Sequence, residues 1–386
     1  MKYPIAIWML AIGAFAIGMT EFVIMGLLPN IARDFDVTVS QAGQLITGYA
    51  LGVAIGGPII VMLTIKWNRK YLLLVLMGIF ILGNFAASFS PSYGFMMTSR
   101  IITSLAHGSF FGIGSILAAS MVRPEKRASA MALMFMGLSL SNILGVPFGT
   151  LVGQNFGWPM TFIVISIIGA IALVGIIIFV PMQRETVKSS VLNELKILKE
   201  KRLWLTLAVT LFGFSGVFAY FTYISTVLTD VSNVQENLIS YLLIIFGVGV
   251  TLGNVVGGKL ADWNLNKSLQ MIFTIFILYF VLLYFIQMNG FLMVAGIFFF
   301  GLIGFSMSPS LQLKSTLISK DAPTLASTLN QSAFNLGNAL GAFIGGLVVT
   351  HLPVASLSLI APILTAIGLI FLFISVAVEK KEGMTT

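Results

Sequence analysis

Three ionisable residues stand in stretches of sequence that are otherwise almost wholly apolar. Glu21 lies in IGMTEFVIMGLLP (17–29); Arg100 and His107 lie in RIITSLAHG (100–108). A carboxyl group that alternates between charged and neutral can carry a proton, and a nearby guanidinium is its natural counter-charge. Arg100 and His107 are seven positions apart, two turns of an α-helix, so they share one helical face. An imidazole with an ordinary pKa of about 6.5 suits a proton relay or a hydrogen bond to a solute. Each also has a structural alternative: an ion pair between Glu21 and Arg100, and a polar contact between helices for His107. A charge at the centre of a membrane helix costs about 2.5 to 3.5 kcal/mol, and such residues are functional candidates by default.

The composition decides whether these stretches lie in a membrane. The chain is 58% hydrophobic and 9% charged, with a mean hydropathy of +1.02; soluble domains carry about 25% charged residues. Lipid must therefore solvate much of the surface. Thirty-two Phe and 38 Gly fit packed membrane helices, in which glycine permits close backbone approach. The absence of cysteine removes disulfides, thiolate metal sites and cysteine nucleophiles. His107 and His351 are the two histidines, too few for a histidine-rich cluster, so no metal or cofactor is expected.

Apolar runs of about 20 residues span a bilayer as helices. Twelve are predicted, at 5–29, 42–65, 71–89, 94–119, 128–153, 159–181, 204–227, 238–260, 268–288, 291–313, 325–350 and 355–378. The first has no small-residue cleavage site, so it is expected to be a retained span. The polar stretch 182–203 divides the runs six and six. The expectation is an all-α polytopic membrane protein: a six-helix bundle over 1–181, a cytoplasmic linker at 182–203 and a second bundle over 204–386.

Positive charge sets the orientation. With a cytoplasmic N-terminus, Lys66, Arg69, Lys70, Arg123, Lys126, Arg127, Lys267, Lys380 and Lys381 all face inward, as do six more in 182–203. The outward connections hold only Arg33 of the 21 Lys and Arg. That asymmetry is the positive-inside pattern, with both termini cytoplasmic. The net charge of +8 thus reports topology and not nucleic-acid binding.

The halves repeat. Glycines recur as Gly48, Gly52 and Gly56 in the second span and as Gly249, Gly253 and Gly257 in the eighth, with 52 and 56 mapping onto 249 and 253 at an offset of 197. N-I-L-G-V-P-F-G (142–149) recurs as N-A-L-G-A-F-I-G (338–345). Gly145, Pro147 and Gly149, with Gly341 and Gly345, are read as helix-packing positions. Two halves on one plan suit a carrier that rocks them about a central site. The ionisable groups are not repeated: at an offset of 197, Glu21 becomes Phe218, Arg100 becomes Ile297 and His107 becomes Gly304. Residues that only one half needs are better candidates for chemistry.

With T-E-F-V-I-M-G-L-L-P (20–29), R-I-I-T-S-L-A-H-G (100–108) and G-V-P-F-G (145–149), the whole chain resembles the major facilitator superfamily. Within it, the likeness is to twelve-helix proton antiporters for drug, sugar and nucleoside efflux, including bacterial arabinose, chloramphenicol and purine nucleoside exporters. The superfamily's loop motif G-x-L-A-D-R-x-G-R-K appears as G-K-L-A-D-W-N-L-N-K (258–267). In the first half it is degraded to V-M-L-T-I-K-W-N-R-K (61–70), with Ile65 in place of the acid. The resemblance implies that Glu21 and Arg100 line a central cavity and that Arg69, Lys70 and Asp262 serve gating. It also implies residence in a bacterial cytoplasmic membrane.

At 1.5 Å per residue, Glu21 is roughly 24 Å along its helix and Arg100 roughly 9 Å in from the opposite entry. Both fall in the outer third of a core about 30 Å thick, so they can meet. Lys314, at the end of the tenth span, is expected to snorkel to the headgroups. Few charges remain for an ionic solute, so a neutral or amphipathic one is expected: a drug, a sugar or a nucleoside. Candidate contacts are Gln44, Thr47, Asn142, Tyr220, Tyr223, Gln312, Asn330 and Asn335, with Phe110 and Phe111 as stacking surfaces; packing is the alternative for each. G-N-V-V-G-G-K-L (253–260) mimics a phosphate-binding loop, but Leu260 stands where Ser or Thr must hold magnesium. The expected activity is secondary transport driven by a proton gradient, with protons, lipid and a small solute as partners, and with a monomer sufficing. An importer or facilitator of a similar solute is the alternative, and a polytopic membrane enzyme a more distant one.

Overall fold

A computed structural model describes residues 3–64, 67–123, 126–182, 195–318 and 323–381. Lys66 and residues 183–194 of the expected linker lie outside the described residues. Twelve helices among those described are long and apolar enough to cross a membrane. They are α1 (Ile5–Asp34), α2 (Val39–Leu63), α3 (Arg69–Ser88), α4 (Tyr93–Ser120), α5 (Arg127–Leu140) and α6 (Trp158–Phe179). After a 3-10 turn at Leu195–Lys199 come α7 (Lys201–Phe221), α8 (Ile239–Trp263), α9 (Leu265–Ile286), α10 (Gly290–Ile318), α11 (Pro323–His351) and α12 (Leu357–Lys381). In hydrocarbon every backbone N–H and C=O needs an internal partner, which these apolar runs obtain as helices.

Two helices are interrupted. α5 passes through a π-helical turn at Ser141–Gly145 and continues as Val146–Phe156; α7 breaks at Thr222–Tyr223 and ends in a second π-helical turn, Val227–Val231. α1 runs five residues beyond its sequence-predicted end, through Pro29 to Asp34, where Arg33 in the last turn complements the helix dipole.

The repeat extends to local geometry. Asn68 caps α3 by accepting from the Lys70 N–H at 3.0 Å, and Asn264 caps α9 by accepting from the Lys267 N–H at 2.8 Å. Asp36 and Asn233, 197 positions apart, are the two non-glycine residues with positive φ among those described, at 52° and 55°. Both types tolerate that left-handed conformation. Packing repeats as well: α1 meets α5 and α6 while α3 meets α4 and α6, and six helices later α7 meets α11 and α12 while α9 meets α10 and α12.

By contacts the chain forms two compact units. One holds Met1–Thr38, Gly48–Thr186 and Glu236–Ile244; the other holds Val39–Thr47, Val187–Gln235 and Ile245–Thr386. α2 and α8 are thus each divided between units near their N-terminal ends. In the first unit Glu236 pairs with Arg33 at 2.8 Å, and its carbonyl accepts from Gln154 at 2.6 Å. In the second, Ser40 donates to the Gly346 carbonyl at 2.9 Å.

One close helix contact argued from the sequence is that of α11 on α7. A Cβ on Gly341 would lie 2.5 Å from the Ser215 carbonyl oxygen and 2.7 Å from the Ala219 nitrogen, both backbone atoms that cannot step aside. Gly341→Ala is expected to destabilise the protein by about 1 to 3 kcal/mol through overpacking. Gly78→Ala in α3, where a Cβ meets nothing within 4 Å, is the control. Thermal melting of the two variants in detergent checks this; equal melting temperatures would contradict it.

Candidate functional site

The three ionisable residues converge within the first unit, where α1 supplies Glu21, α4 supplies Arg100 and His107, and α2 adds Tyr49. Glu21 is 3% exposed, Arg100 1% and His107 5%. The direct ion pair between Glu21 and Arg100, the structural alternative raised by the sequence, does not form. One Arg100 amino group donates instead to the Thr20 carbonyl at 2.8 Å and to the Thr20 hydroxyl at 3.1 Å. That hydroxyl donates to Asn84 Oδ1 of α3 at 2.5 Å, and Asn84 Nδ2 donates to the Phe80 carbonyl at 2.9 Å. The guanidinium carbon lies 4.0 Å from the Tyr49 ring centroid, a cation–π contact. Arg100 is therefore oriented by three other helices and not by a carboxylate.

Glu21 faces the histidine. His107 Nε2 lies 3.9 Å from Glu21 Oε2, too long for a hydrogen bond but short enough for electrostatic interaction. His107 Nδ1 lies 3.1 Å from the Tyr49 hydroxyl. Three buried atoms of the cluster, Glu21 Oε1 and Arg100 Nε and Nη2, have no hydrogen-bond partner among the described residues. An unsatisfied buried polar group costs about 1 to 3 kcal/mol, more when charged. The site therefore holds unused acceptor and donor capacity in one low-dielectric place.

The remaining candidates fall into separate settings. Phe111 packs on His107 with centroids 5.3 Å apart, stacks on Phe135 at 5.5 Å and meets Phe110 edge-on at 6.2 Å. These rings continue the polar cluster along α4. Asn142 sits in the π-helical turn of α5 and donates to the Leu138 carbonyl at 3.2 Å. Beside that turn, Gly145 and Gly149 lie against Phe15, Met19 and Val23 of α1, and Pro147 lies near the start of the continuing helix.

In the second unit, Tyr220 and Tyr223 are fully buried; the first donates to Gln287 Oε1 at 3.1 Å, the second to the Ala342 carbonyl at 2.9 Å. Gln44, Ser40 and Tyr223 surround Gly346, while Gly345 and Gly341 pack on α7. The Thr47 hydroxyl is a buried atom without a partner among the described residues. Gln312, Asn330, Thr210 and Ser327 form a chain of hydrogen bonds: Asn330 Nδ2 to Gln312 Oε1 at 2.8 Å, Thr210 to Asn330 Oδ1 at 2.7 Å, and Gln312 Nε2 to Ser327 at 2.5 Å. Asn335 donates to the Gln331 carbonyl at 3.0 Å and leaves Oδ1 unused. Among the loop-motif residues, Lys70 donates to the Ile177 carbonyl at 2.8 Å, Arg69 opens α3, and Asp262 is exposed near the end of α8.

Lys314 departs from expectation. α10 continues to Ile318, so Lys314 lies a turn inside the helix and is 2% exposed. It pairs with Glu379 of α12 and donates to Asn266 Oδ1 of α9 at 2.9 Å. Glu379 also accepts from Asn266 at 3.0 Å and from Ser375 at 3.1 Å.

Sequence reasoning passed over Tyr49, Thr20 and Asn84. Their signal was available in the repeat: at the 197 offset they become Phe246, Val217 and Val281, so all three polar groups are particular to the first half.

The comparisons with known proteins agree with this architecture. The family profile "Major Facilitator Superfamily" matches residues 10–324 and 233–384. "Inner membrane transport protein YdhP" of Escherichia coli (strain K12) is 39% identical over 97% of this chain and 97% of its own. A "Probable sugar efflux transporter" of Mannheimia succiniciproducens is 29% identical, covering 94% of this chain and 91% of its own. Among solved structures, a D-xylose-proton symporter superposes with a TM-score of 0.80 over 95% of this chain and 96% of its own, at 15% identity, a likeness of fold. This chain belongs to the Major Facilitator Superfamily and is a multi-pass inner-membrane transporter of small molecules, not an enzyme.

Proposed function

We propose that the chain exports a small neutral or amphipathic solute in exchange for protons. The observation that carries this reading is the Glu21 carboxyl: buried, one oxygen unpaired, the other 3.9 Å from His107, with Arg100 held nearby but not bonded to it. A carboxylate locked in a salt bridge has no reason to release and rebind a proton. One left unlocked beside a cation and an imidazole can do so when its surroundings change. Arg100 supplies the fixed positive charge that tolerates the ionised carboxylate; His107 supplies the adjacent proton-bearing nitrogen.

Energetically one proton is enough. A charge moved through 100 mV is worth about 2.3 kcal/mol, so ~150 mV supplies roughly 3.5 kcal/mol. At about 1.4 kcal/mol per decade this sustains a solute gradient of a few hundredfold, with no nucleotide or other cofactor. The outward direction is supported by the likeness to the efflux relative. The distribution of Lys and Arg supports cytoplasmic termini. Alternating access by a monomer, about a pocket that accepts sugars, nucleosides or drugs, completes the reading. Phe110 and Phe111 are its nearest stacking surfaces to the coupling site.

The experiment is a flux screen in proteoliposomes against sugars, nucleosides, purines and common antibiotics, with a pH gradient imposed in either direction. Solute movement opposite to the proton gradient is the expected result. Movement in the same direction, or movement indifferent to pH, would overturn the antiport reading.

A further inference from the structure

We propose that Tyr49 sets the tautomer of His107: its hydroxyl donates to Nδ1, so that Nε2 carries the ring proton and presents it to Glu21. The inference rests on the coupling role given above to Glu21, and it concerns a residue outside the three assigned to coupling. Tyr49 is 1% exposed, and His107 Nδ1, at 3.1 Å, is the acceptor within reach of its hydroxyl. A buried O–H without an acceptor is costly, and nearly all buried donors are satisfied. If Nδ1 carried the proton instead, two penalties would follow. The phenol proton would lose its acceptor, and the bare lone pair of Nε2 would point at the Glu21 carboxylate. With Tyr49 as donor both conflicts vanish, and the Arg100 cation over the ring face strengthens the phenol as a donor.

The groups facing this pair are few and all identified. α1 brings Glu21 and Thr20, α3 brings Asn84 and α4 brings Arg100; Thr20 is already bonded to Asn84 and to Arg100, and Asn84 also to the Phe80 carbonyl. No other described group competes for either ring nitrogen. Phe246, the counterpart of Tyr49 in the repeat, occupies its place as a ring stacked on Phe221 at 4.0 Å. An aromatic at this position thus serves packing in both halves, and the hydroxyl is the addition peculiar to this one.

The consequence is a link between helix position and proton affinity. An Nε2–H opposite Glu21 stabilises the carboxylate, whereas a bare Nε2 stabilises the acid. Of the four helices that build the cluster, α2 alone is divided between the two units, with Val39–Thr47 in the second and Tyr49 in the first. Any displacement of α2 along or away from α4 would lengthen the 3.1 Å contact of the phenol with Nδ1 and release the ring to change tautomer. Tyr49 is in this sense a positioning residue: it acts on Glu21 only through His107.

Two histidines in the whole chain make the test direct. The probe is the protein itself, labelled with nitrogen-15 histidine and reconstituted in lipid, with the exposed His351 replaced by asparagine so that one imidazole reports. Nitrogen NMR distinguishes a protonated from a bare ring nitrogen. The expected spectrum shows His107 neutral, with Nε2 protonated and Nδ1 bare. Tyr49→Phe, which keeps the ring beneath Arg100, is expected to shift the tautomer ratio toward Nδ1–H by roughly tenfold, equivalent to about 1.4 kcal/mol. A wild-type ring protonated at Nδ1, a doubly protonated ring, or a ratio unmoved in Tyr49→Phe each overturns the proposal. Should Tyr49→Phe fail to fold, the wild-type spectrum decides alone. None of these outcomes depends on transport, so the proposal can fail while the export reading stands, and the reverse.

Discussion

Glu21→Gln is expected to fold, to insert and to let solute equilibrate down its own gradient, yet to accumulate nothing against that gradient when a pH difference is imposed. The amide keeps the volume and polarity of the carboxyl but cannot exchange a proton at any accessible pH. Helix packing around it is unchanged: Gly145 and Gly149 meet α1 at Phe15, Met19 and Val23, not at position 21. What disappears is the whole thermodynamic contribution of the proton, roughly 3.5 kcal/mol at ~150 mV, or a few hundredfold in the solute ratio. Flux measured with and without the pH gradient separates the two effects. A variant that loses downhill exchange as well would point to a structural role for Glu21.

The second large effect concerns stability, and it lies in the other unit. Glu379→Ala leaves the Lys314 ammonium buried with Asn266 as its one remaining hydrogen-bond acceptor among the described residues. Breaking a buried ion pair by removing one partner costs about 3 to 5 kcal/mol, because the surviving charge has neither water nor a counter-ion. Replacing both charges, as Lys314→Met with Glu379→Leu, is expected to recover most of that loss, since a well-packed apolar pair is often as stable as the ion pair it replaces. Unfolding of the single and double variants in mixed micelles gives the comparison. If the double variant is as unstable as Glu379→Ala, the two side chains are not energetically coupled.

These two charge clusters mark how far the sequence could be read. Hydropathy alone located the twelve spans, because a run of about 20 apolar residues has no other stable state in a chain this poor in charge. It also isolated Glu21, Arg100 and His107, each a polar exception in an apolar run. Which partner each one meets was not legible. That depends on the rotation of each helix about its axis, and rotation is set by packing between helices distant in sequence. Hence Arg100 turned out to rest on Thr20 and Tyr49, and Glu21 to face His107.

Tyr49 was overlooked for a related reason: among 32 Phe and 38 Gly an aromatic reads as packing, and the value of its hydroxyl appears only when His107 is seen beside it. Glu379 was hidden by a boundary. The last span was expected to end at residue 378, which left Glu379 with the charged tail; α12 in fact carries it inward against Lys314 and Asn266. The extension of α12 to Lys381 thus changed a tail charge into a core charge and turned Lys314 from an expected headgroup contact into half of a buried pair.

Proton movement during solute export tests the central claim most directly. Inverted membrane vesicles, acidified inside by respiration and followed with a pH-sensitive dye, are challenged with each solute of the panel. An exported solute is expected to dissipate the pH difference in vesicles carrying the wild-type chain and to leave it intact in those carrying Glu21→Gln. Transport of the solute with no proton movement, or equal dissipation by the Glu21→Gln chain, would contradict the account.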